Sequence, residues 1–281
     1  MEELEIALKG YREDVERGIA EALSGVPGNL SESVWHMATG GKRLRSVMAL
    51  ATTEAVGGDR SDALGSAVGI ELIHTFTLVH DDIMDRDEER RGRKCVHVKY
   101  GTPTAILAGD LLETIGLELM GRDGVYGEGI ALVRDICEGQ KMDIDFESRE
   151  ISIDEYLRMI ELKTAHTFEC AARVGAILGG EKKKTVKELA SYGMNFGMAF
   201  QIGDDMADTF AQGRSSDIEL GKKTLPVISG WSFNDALVKG DATMKRYSDK
   251  ALDSISGLDD SVGKSVLAAL AQRYGRVKGF T

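Results

Sequence analysis

Two stretches of this chain each place three aspartates within five residues: Asp81-Asp82-Ile83-Met84-Asp85 and Asp204-Asp205-Met206-Ala207-Asp208. On an ideal helix the acids of either stretch project at about 0°, 100° and 40°, so the spacing predicts three carboxylates on one side. Like charges that close repel and hold protons unless cations are present. Hard oxygen donors with room left for water and phosphate suit magnesium, with manganese as the alternative. Each stretch closes an apolar segment that reads as a buried helix, Leu78-Val79-His80 before the first and Met194 to Ile202 before the second. Gln201 projects at about 60°, on the side of the second set of acids. A single acid cluster is also read as a solvated, salt-bridged helix end, and the charged run Arg86 to Arg91 fits that reading. Two clusters on separate helices make opposed walls able to clamp several metals and a diphosphate.

The cations are the second constellation. Lys42 and Arg45 lie three apart in the first turn of a helix predicted after Gly40-Gly41, where positive charge opposes the helix dipole. An anion held by the free backbone N–H groups and both side chains explains them; two solvated surface cations are the alternative. His74 projects at about 20° relative to Asp81, two turns earlier on the same face, as a ligand or as a satisfied core residue. Arg90-Arg91-Gly92 puts two guanidiniums on a turn, suited to bidentate phosphate contacts or to solvent. Lys163, beside Thr164, sits among apolar residues and calls for an anionic partner. Lys222-Lys223-Thr224 follows a polar segment, residues 211–221, placed to close over the second acid cluster. The GxxxxGK[ST] phosphate loop is excluded, because His36 and Arg43 occupy the required Gly and Ser/Thr positions around Gly41-Lys42.

The elements that must position these groups read as helices throughout. Apolar residues recur at helical spacing from Leu4 to Leu23, and further helical patterns cover about 30–37, 47–56, 62–85, 102–121, 125–148, 152–178, 182–210, 224–238 and 258–277, with strand alternation sustained nowhere. The fold class is all-α. With 281 residues, three prolines and no linker tract, one domain over residues 1–281 is expected. A net charge of −11 argues against a nucleic-acid partner. Cys95, Cys137 and Cys170 are odd in number and widely spaced, as in reduced cytoplasmic proteins. Neither an uninterrupted apolar run of about 18 residues nor a basic-then-apolar leader is evident, so no transmembrane segment is expected.

Taken in order, GGKRLR at 40–45, His74, DDIMD at 81–85, RRG at 90–92, Gly139-Gln140 with Asp143, Lys163-Thr164, FQIGDDMAD at 200–208 and GKKTLP at 221–226 resemble the trans-isoprenyl (polyprenyl) diphosphate synthase family over most of the chain. The resemblance implies a single-domain helical bundle around a deep central cavity, forming a homodimer. It implies head-to-tail prenyl transfer: an allylic diphosphate ionises, and the cation is attacked by the double bond of isopentenyl diphosphate. By residue-for-residue match, Asp81, Asp82, Asp85, Asp204, Asp205 and Asp208 hold magnesium, three ions per site. Arg90, Lys163 and Lys222 bind the allylic diphosphate; Lys42, Arg45, His74 and Arg91 bind isopentenyl diphosphate. Thr164 and Gln201 stabilise the cation by their dipoles, and the departing diphosphate removes the final proton.

Phe76, five residues before Asp81, and Thr77 beside it resemble the chain-length positions of the archaeal type of geranylgeranyl diphosphate synthase. A twenty-carbon product is therefore expected, with farnesyl or longer-chain synthesis as the alternative. Two departures from the family pattern stand out: Arg93 leads into Lys94-Cys95 rather than to Pro-Thr, and the loop 209–217 is short, with Gly213-Arg214 where Gly-Lys is usual. A terpene cyclase would lack GGKRLR and would not carry DDMAD. An inactive regulatory subunit of a heteromeric synthase, the non-enzyme alternative, typically loses acids that are retained here.

Overall fold

The computed structural model describes residues 2–26, 28–210 and 222–276. The order is α1 (Glu2–Leu23), α2 (Gly28–Ala38), α3 (Leu44–Ala55), α4 (Leu64–Met84), a hairpin of β1 (Glu89–Arg90) and β2 (Arg93–Lys94), α5 (Val96–Tyr100), α6 (Thr102–Arg122) and α7 (Tyr126–Phe146). There follow α8 (Ile153–Ile160), a π-helical turn (Glu161–Ala165), α9 (His166–Leu178), α10 (Lys183–Phe210), α11 (Leu225–Ile228), α12 (Phe233–Asp235), a second π turn (Ala236–Gly240), α13 (Asp241–Ile255) and α14 (Val262–Tyr274). The all-α expectation holds. Among the described residues its one exception is the hairpin, where Arg91 and Gly92 both take positive φ (55° and 71°). Positive φ at both loop positions is what a two-residue hairpin turn requires, and Gly92 adopts it without steric cost.

The amphipathic patterns bury the side they predict. In α1, Leu8, Tyr11, Val15, Ile19 and Leu23 are all buried, a three-and-four spacing, whereas Ile6 is 64% exposed. Helix α4 lies in the middle of the main core and packs along α6; α9 packs along α10, and α3 along α9. A second apolar cluster, with Phe146, Tyr156, Met159, Ile202 and Met206, closes the end of the bundle formed by α8, α10 and α13. The stretch Arg60–Met84 is long and apolar enough to cross a membrane by length and composition, but 72% of its apolar window is buried inside the protein, the environment of a core helix.

Boundaries differ from the sequence reading where local chemistry intervenes. The helix after Gly40-Gly41 begins at Leu44, because Arg43 takes a left-handed conformation (φ 53°); Lys42 therefore lies in the loop rather than in the first turn. The pattern over 224–238 breaks at Gly230, with φ 60°, and restarts at a Ser232–Asp235 capping box. The pattern over 152–178 is one helix only if the π turn is counted. The predicted closing segment 211–221, with Gly213 and Arg214, lies outside the described residues.

Candidate active site

The C-terminal turns of α4 and α10 bring the two acid motifs to one end of the bundle. A cavity of about 500 Å³ is lined by Lys42, Arg45, His74, Thr77, Asp81, Arg90, Arg91, Lys163, Thr164, Gln201 and Asp204. A smaller one of about 120 Å³ is lined by Asp143, Asp205, Asp208 and Lys222, and it shares Lys163, Thr164 and Gln201 with the first. Groups from seven separate stretches of sequence thus meet at two adjoining spaces. Asp85 lines neither, but its Oδ2 accepts from Lys222 Nζ at 2.8 Å. Phe76 is not among the lining residues; it is buried, edge-on to the His80 ring with centroids 5.6 Å apart.

The acids do not share one face as the helical wheel suggested. In the first motif the middle aspartate turns into the protein, and in the second it lines the smaller cavity but is held by protein partners. Asp82 is fully buried and accepts from Arg90 Nε, while its Oδ2 has no protein partner. Asp205 accepts from Tyr156 Oη and from Gln201 Nε2, both at 2.6 Å. The offset of about 100° that separates neighbouring helical residues is enough to send one side chain to the core while its neighbour faces the cavity. Asp82 therefore aims Arg90, and Asp205 aims Gln201.

Lys163 and Thr164 sit on the π-helical turn. The extra residue of such a turn shifts the following helical face, a device frequent at functional sites. Gly139 on α7 admits that backbone: a Cβ there would lie 2.5 Å from the Lys163 nitrogen. Thr164 Oγ1 donates to Gln201 Oε1 at 2.8 Å, and a bonded chain runs Thr164–Gln201–Asp205–Tyr156. Lys163 Nζ donates to Asp143 Oδ2 at 2.6 Å.

Across the cavity, Arg45 Nε donates to Thr167 Oγ1 at 2.7 Å and its guanidinium lies 4.5 Å from the centre of the Phe168 ring. Lys42 Nζ lies 5.7 Å from the Tyr274 ring. Arg43, between them in sequence, is the one that is bound inward. It is 2% exposed and donates to Glu16, Glu71 and the Ala38 carbonyl, and Glu71 also accepts from Ser46 at 2.9 Å. This clamp fixes the loop so that its two neighbours face the cavity.

Electrostatically the space is divided. Burial, and then the charges of Arg45, Arg91, Arg90 and Arg43, hold the His74 imidazole well below the usual histidine range. Burial pulls the Arg45 guanidinium down to about 10, against partial relief from Glu71 and Asp204. On the other side, burial pushes Asp81 up to about 6 and Asp205 up to about 7. Both walls carry charge at a cost, one positive and one negative. An anion beside the first and a hard cation beside the second would relieve both.

The donor set fits magnesium in kind: carboxylate oxygens from two helices, Asp81 and Asp204 on the larger cavity and Asp205 and Asp208 on the smaller. Among the described residues no three carboxylates or imidazoles converge closely enough to hold an ion. The ammonium group of Lys222 lies instead between Asp85 and Asp143, and that of Lys163 bonds Asp143 beside it.

Sequence reasoning assigned no role to Asp143, Glu71 or Tyr156. Asp143 carried a signal in its place after Gly139-Gln140 among the ordered elements, and Glu71 a weak one as an acid on an otherwise apolar helix; Tyr156 carried none, since a buried phenol is recognised only by the partner it finds.

Residues 27–253 match the sequence model of the polyprenyl synthetase family. The chain is 41% identical to a short chain isoprenyl diphosphate synthase of Methanothermobacter thermautotrophicus, over 98% of this chain and 86% of that one. It is 39% identical to a geranylfarnesyl diphosphate synthase of Natronomonas pharaonis, over 79% and 75% respectively. Its fold superposes on the crystal structure of a geranylgeranyl pyrophosphate synthetase from Pyrococcus horikoshii with a TM-score of 0.91 and 34% identity, covering 99% of each chain. With the acid motifs, the ordered cations and the cavity between them, these matches lead to one conclusion: the chain belongs to the polyprenyl synthetase family.

Proposed function

We propose that this protein joins isopentenyl diphosphate head-to-tail to an allylic diphosphate, and that the product is geranylgeranyl diphosphate. The observation that carries the reading is the pair of adjoining cavities in which Asp81 and Asp204 face Lys42, Arg45, His74, Arg90, Arg91 and Lys163. Two anionic groups and a charge-neutralising cation are what such a space accommodates.

Lys163, Lys222 and Arg90 hold the allylic diphosphate. Lys42, Arg45, Arg91 and the neutral His74 hold isopentenyl diphosphate, which the Arg43 clamp keeps in register. Of the six aspartates expected to hold magnesium, Asp81, Asp85, Asp204 and Asp208 would be its direct ligands, three ions per site, with manganese as a substitute; Asp82, bonded to Arg90, and Asp205, bonded to Tyr156 and Gln201, would stand behind them. Bound magnesium supplies Lewis-acid stabilisation of the charge that develops on the leaving diphosphate. The carbon–oxygen bond breaks with both electrons leaving on the diphosphate. The π electrons of isopentenyl diphosphate then form the new carbon–carbon bond, and a proton passes from the adjacent carbon to a diphosphate oxygen. Thr164 commits its hydroxyl hydrogen to Gln201, so the lone pairs of its oxygen remain to face the cation.

The twenty-carbon product is supported by the geranylgeranyl name of the Pyrococcus relative, while the geranylfarnesyl relative keeps a longer product as the second reading. Incubation of purified protein with isopentenyl diphosphate, magnesium and each allylic primer, followed by chromatography of the dephosphorylated alcohols, decides both points. One twenty-carbon alcohol is expected. A twenty-five-carbon alcohol keeps the chemistry and changes the length; no elongation from folded protein returns the regulatory-subunit reading.

The chain acts as one domain, as a homodimer, in the cytoplasm. Support for the dimer comes from Ile130, Cys137 and Ile144, exposed at seven-residue spacing on α7 beside exposed Ile106 and Leu107 on α6. Sedimentation of wild type and Ile130→Glu tests it, since a wild-type monomer would dismiss the dimer. Three free cysteines support the reducing compartment, which cell fractionation checks.

A further inference from the structure

Asp143 belongs to neither acid motif, yet it is 7% exposed and its partners are two of the three cations of the allylic diphosphate site. One oxygen, Oδ2, accepts from Lys163 Nζ at 2.6 Å and from Lys222 Nζ at 3.3 Å. The two lysines arrive from unrelated places, one from the π turn after α8 and the other from the stretch that precedes α11. Lys222 also reaches Asp85 at 2.8 Å, so it spans from α7 to the end of α4. One turn before Asp143, Gly139 lets the Lys163 backbone seat against the same helix. Helix α7 therefore fixes both the backbone and the ammonium of that lysine.

Two ammonium groups sharing one oxygen repel each other, and lysine side chains hold no fixed direction by themselves. Remove the carboxylate between them and they separate. Asp143 lines the smaller cavity, but its Oδ2 with two charge-assisted donors is already well satisfied, which separates its role from that of an oxygen left to bind a metal. We propose that Asp143 is a positioning residue: it holds Lys163 and Lys222 side by side, at the separation across which one diphosphate is gripped by both. The proposal rests on reading those lysines as the allylic diphosphate site.

The test uses Asp143→Asn, which keeps shape and removes charge, and Asp143→Glu, which keeps the carboxylate. In Asp143→Asn the KM for the allylic primer rises by about ten- to a hundredfold, the range typical of lost outer-shell partners, while the KM for isopentenyl diphosphate stays put. Asp143→Glu recovers part of the loss. Calorimetric titration with inorganic diphosphate and magnesium chloride shows the same loss of affinity without turnover, and circular dichroism verifies the fold of each variant. Three results overturn the proposal: an unchanged primer KM, an equal rise in both KM values, or a higher magnesium requirement in place of a higher primer KM, which would make Asp143 a metal ligand. Should Asp143→Asn fail to fold, a folded Asp143→Glu with a raised primer KM, weaker diphosphate binding and an unchanged KM for isopentenyl diphosphate supports the proposal, and a folded Asp143→Glu with undiminished diphosphate affinity removes it. Absence of elongation by the wild type would defeat the functional reading instead, and the titration would still decide the role of Asp143.

Discussion

Replacing Arg45 by Met should make the ligand-free protein slightly more stable and its use of isopentenyl diphosphate much worse. The near partners of the guanidinium are uncharged, a Thr167 hydroxyl at 2.7 Å and the Phe168 ring at 4.5 Å. Burial pulls the group from 12.5 down to about 10, which corresponds to about 3 kcal/mol against the charged form. Met removes that penalty and still packs on the ring. The change forfeits about 1 kcal/mol of cation–π attraction and about 1 kcal/mol of hydrogen bonding. The remainder is a gain of about 1 kcal/mol, or roughly 2–4 °C in melting temperature for a chain near this size. Against an anion the balance reverses. A charge-assisted bond to phosphate contributes about 1.5–3 kcal/mol, so the KM for isopentenyl diphosphate should rise roughly 10- to 150-fold. Differential scanning fluorimetry without ligand and initial rates at saturating primer supply the two numbers. A lower melting temperature together with an unchanged KM would refute the reasoning and make Arg45 a packing residue.

Other perturbations separate the remaining roles. Asp81→Ala, or removal of divalent cations with EDTA, should lower turnover by about a thousandfold or more with the circular dichroism spectrum unchanged; near-normal turnover by Asp81→Ala would exclude it from the metal site. Phe76→Ala should lengthen the product at a cost of about 3–5 kcal/mol in stability, read by chromatography of the alcohols, and an unchanged product moves the floor to Ile73, Thr77 or the facing α6. His74 should give an acid-sensitive term to stability. It faces Arg45 and Arg43 from the α3 side and Arg90 and Arg91 from the hairpin, and its folded pKa lies well below 6.5. Between the two values only the unfolded chain takes up the proton, so stability present above about 6.5 falls as the pH drops towards the folded value. Urea midpoints of metal-free protein between pH 7 and pH 4.5 should fall less steeply in His74→Gln; parallel curves would show that His74 is protonated in the folded chain.

The sequence by itself determined the helices, since a three-and-four apolar spacing such as Tyr11, Val15, Ile19 and Leu23 admits only one regular structure, and the described chain is built that way. It also determined which residue types are present to do chemistry. The acid motifs, GGKRLR, RRG, Lys163-Thr164 and Lys222 are local patterns; Lys42, Arg45, Asp81, Arg90, Arg91, Lys163, Thr164 and Asp204 line the larger cavity, and Asp205, Asp208 and Lys222 the smaller. What it did not determine was direction. A helical wheel places Asp82 within about 100° of its neighbours but cannot say where the core begins, and the core takes Asp82 while Asp81 and Asp204 face the larger cavity and Asp205 the smaller. The inward turn of Arg43 is likewise invisible in GGKRLR, because it depends on Glu16 and Glu71 arriving from two other helices. The π turn under Lys163 has no propensity signature, since it is imposed where α7 and α10 press on the helix between α8 and α9. Periodicity and charge type are properties of neighbours in sequence, whereas the partner of a buried charge is chosen by packing between segments far apart, and that choice was made only by the tertiary structure.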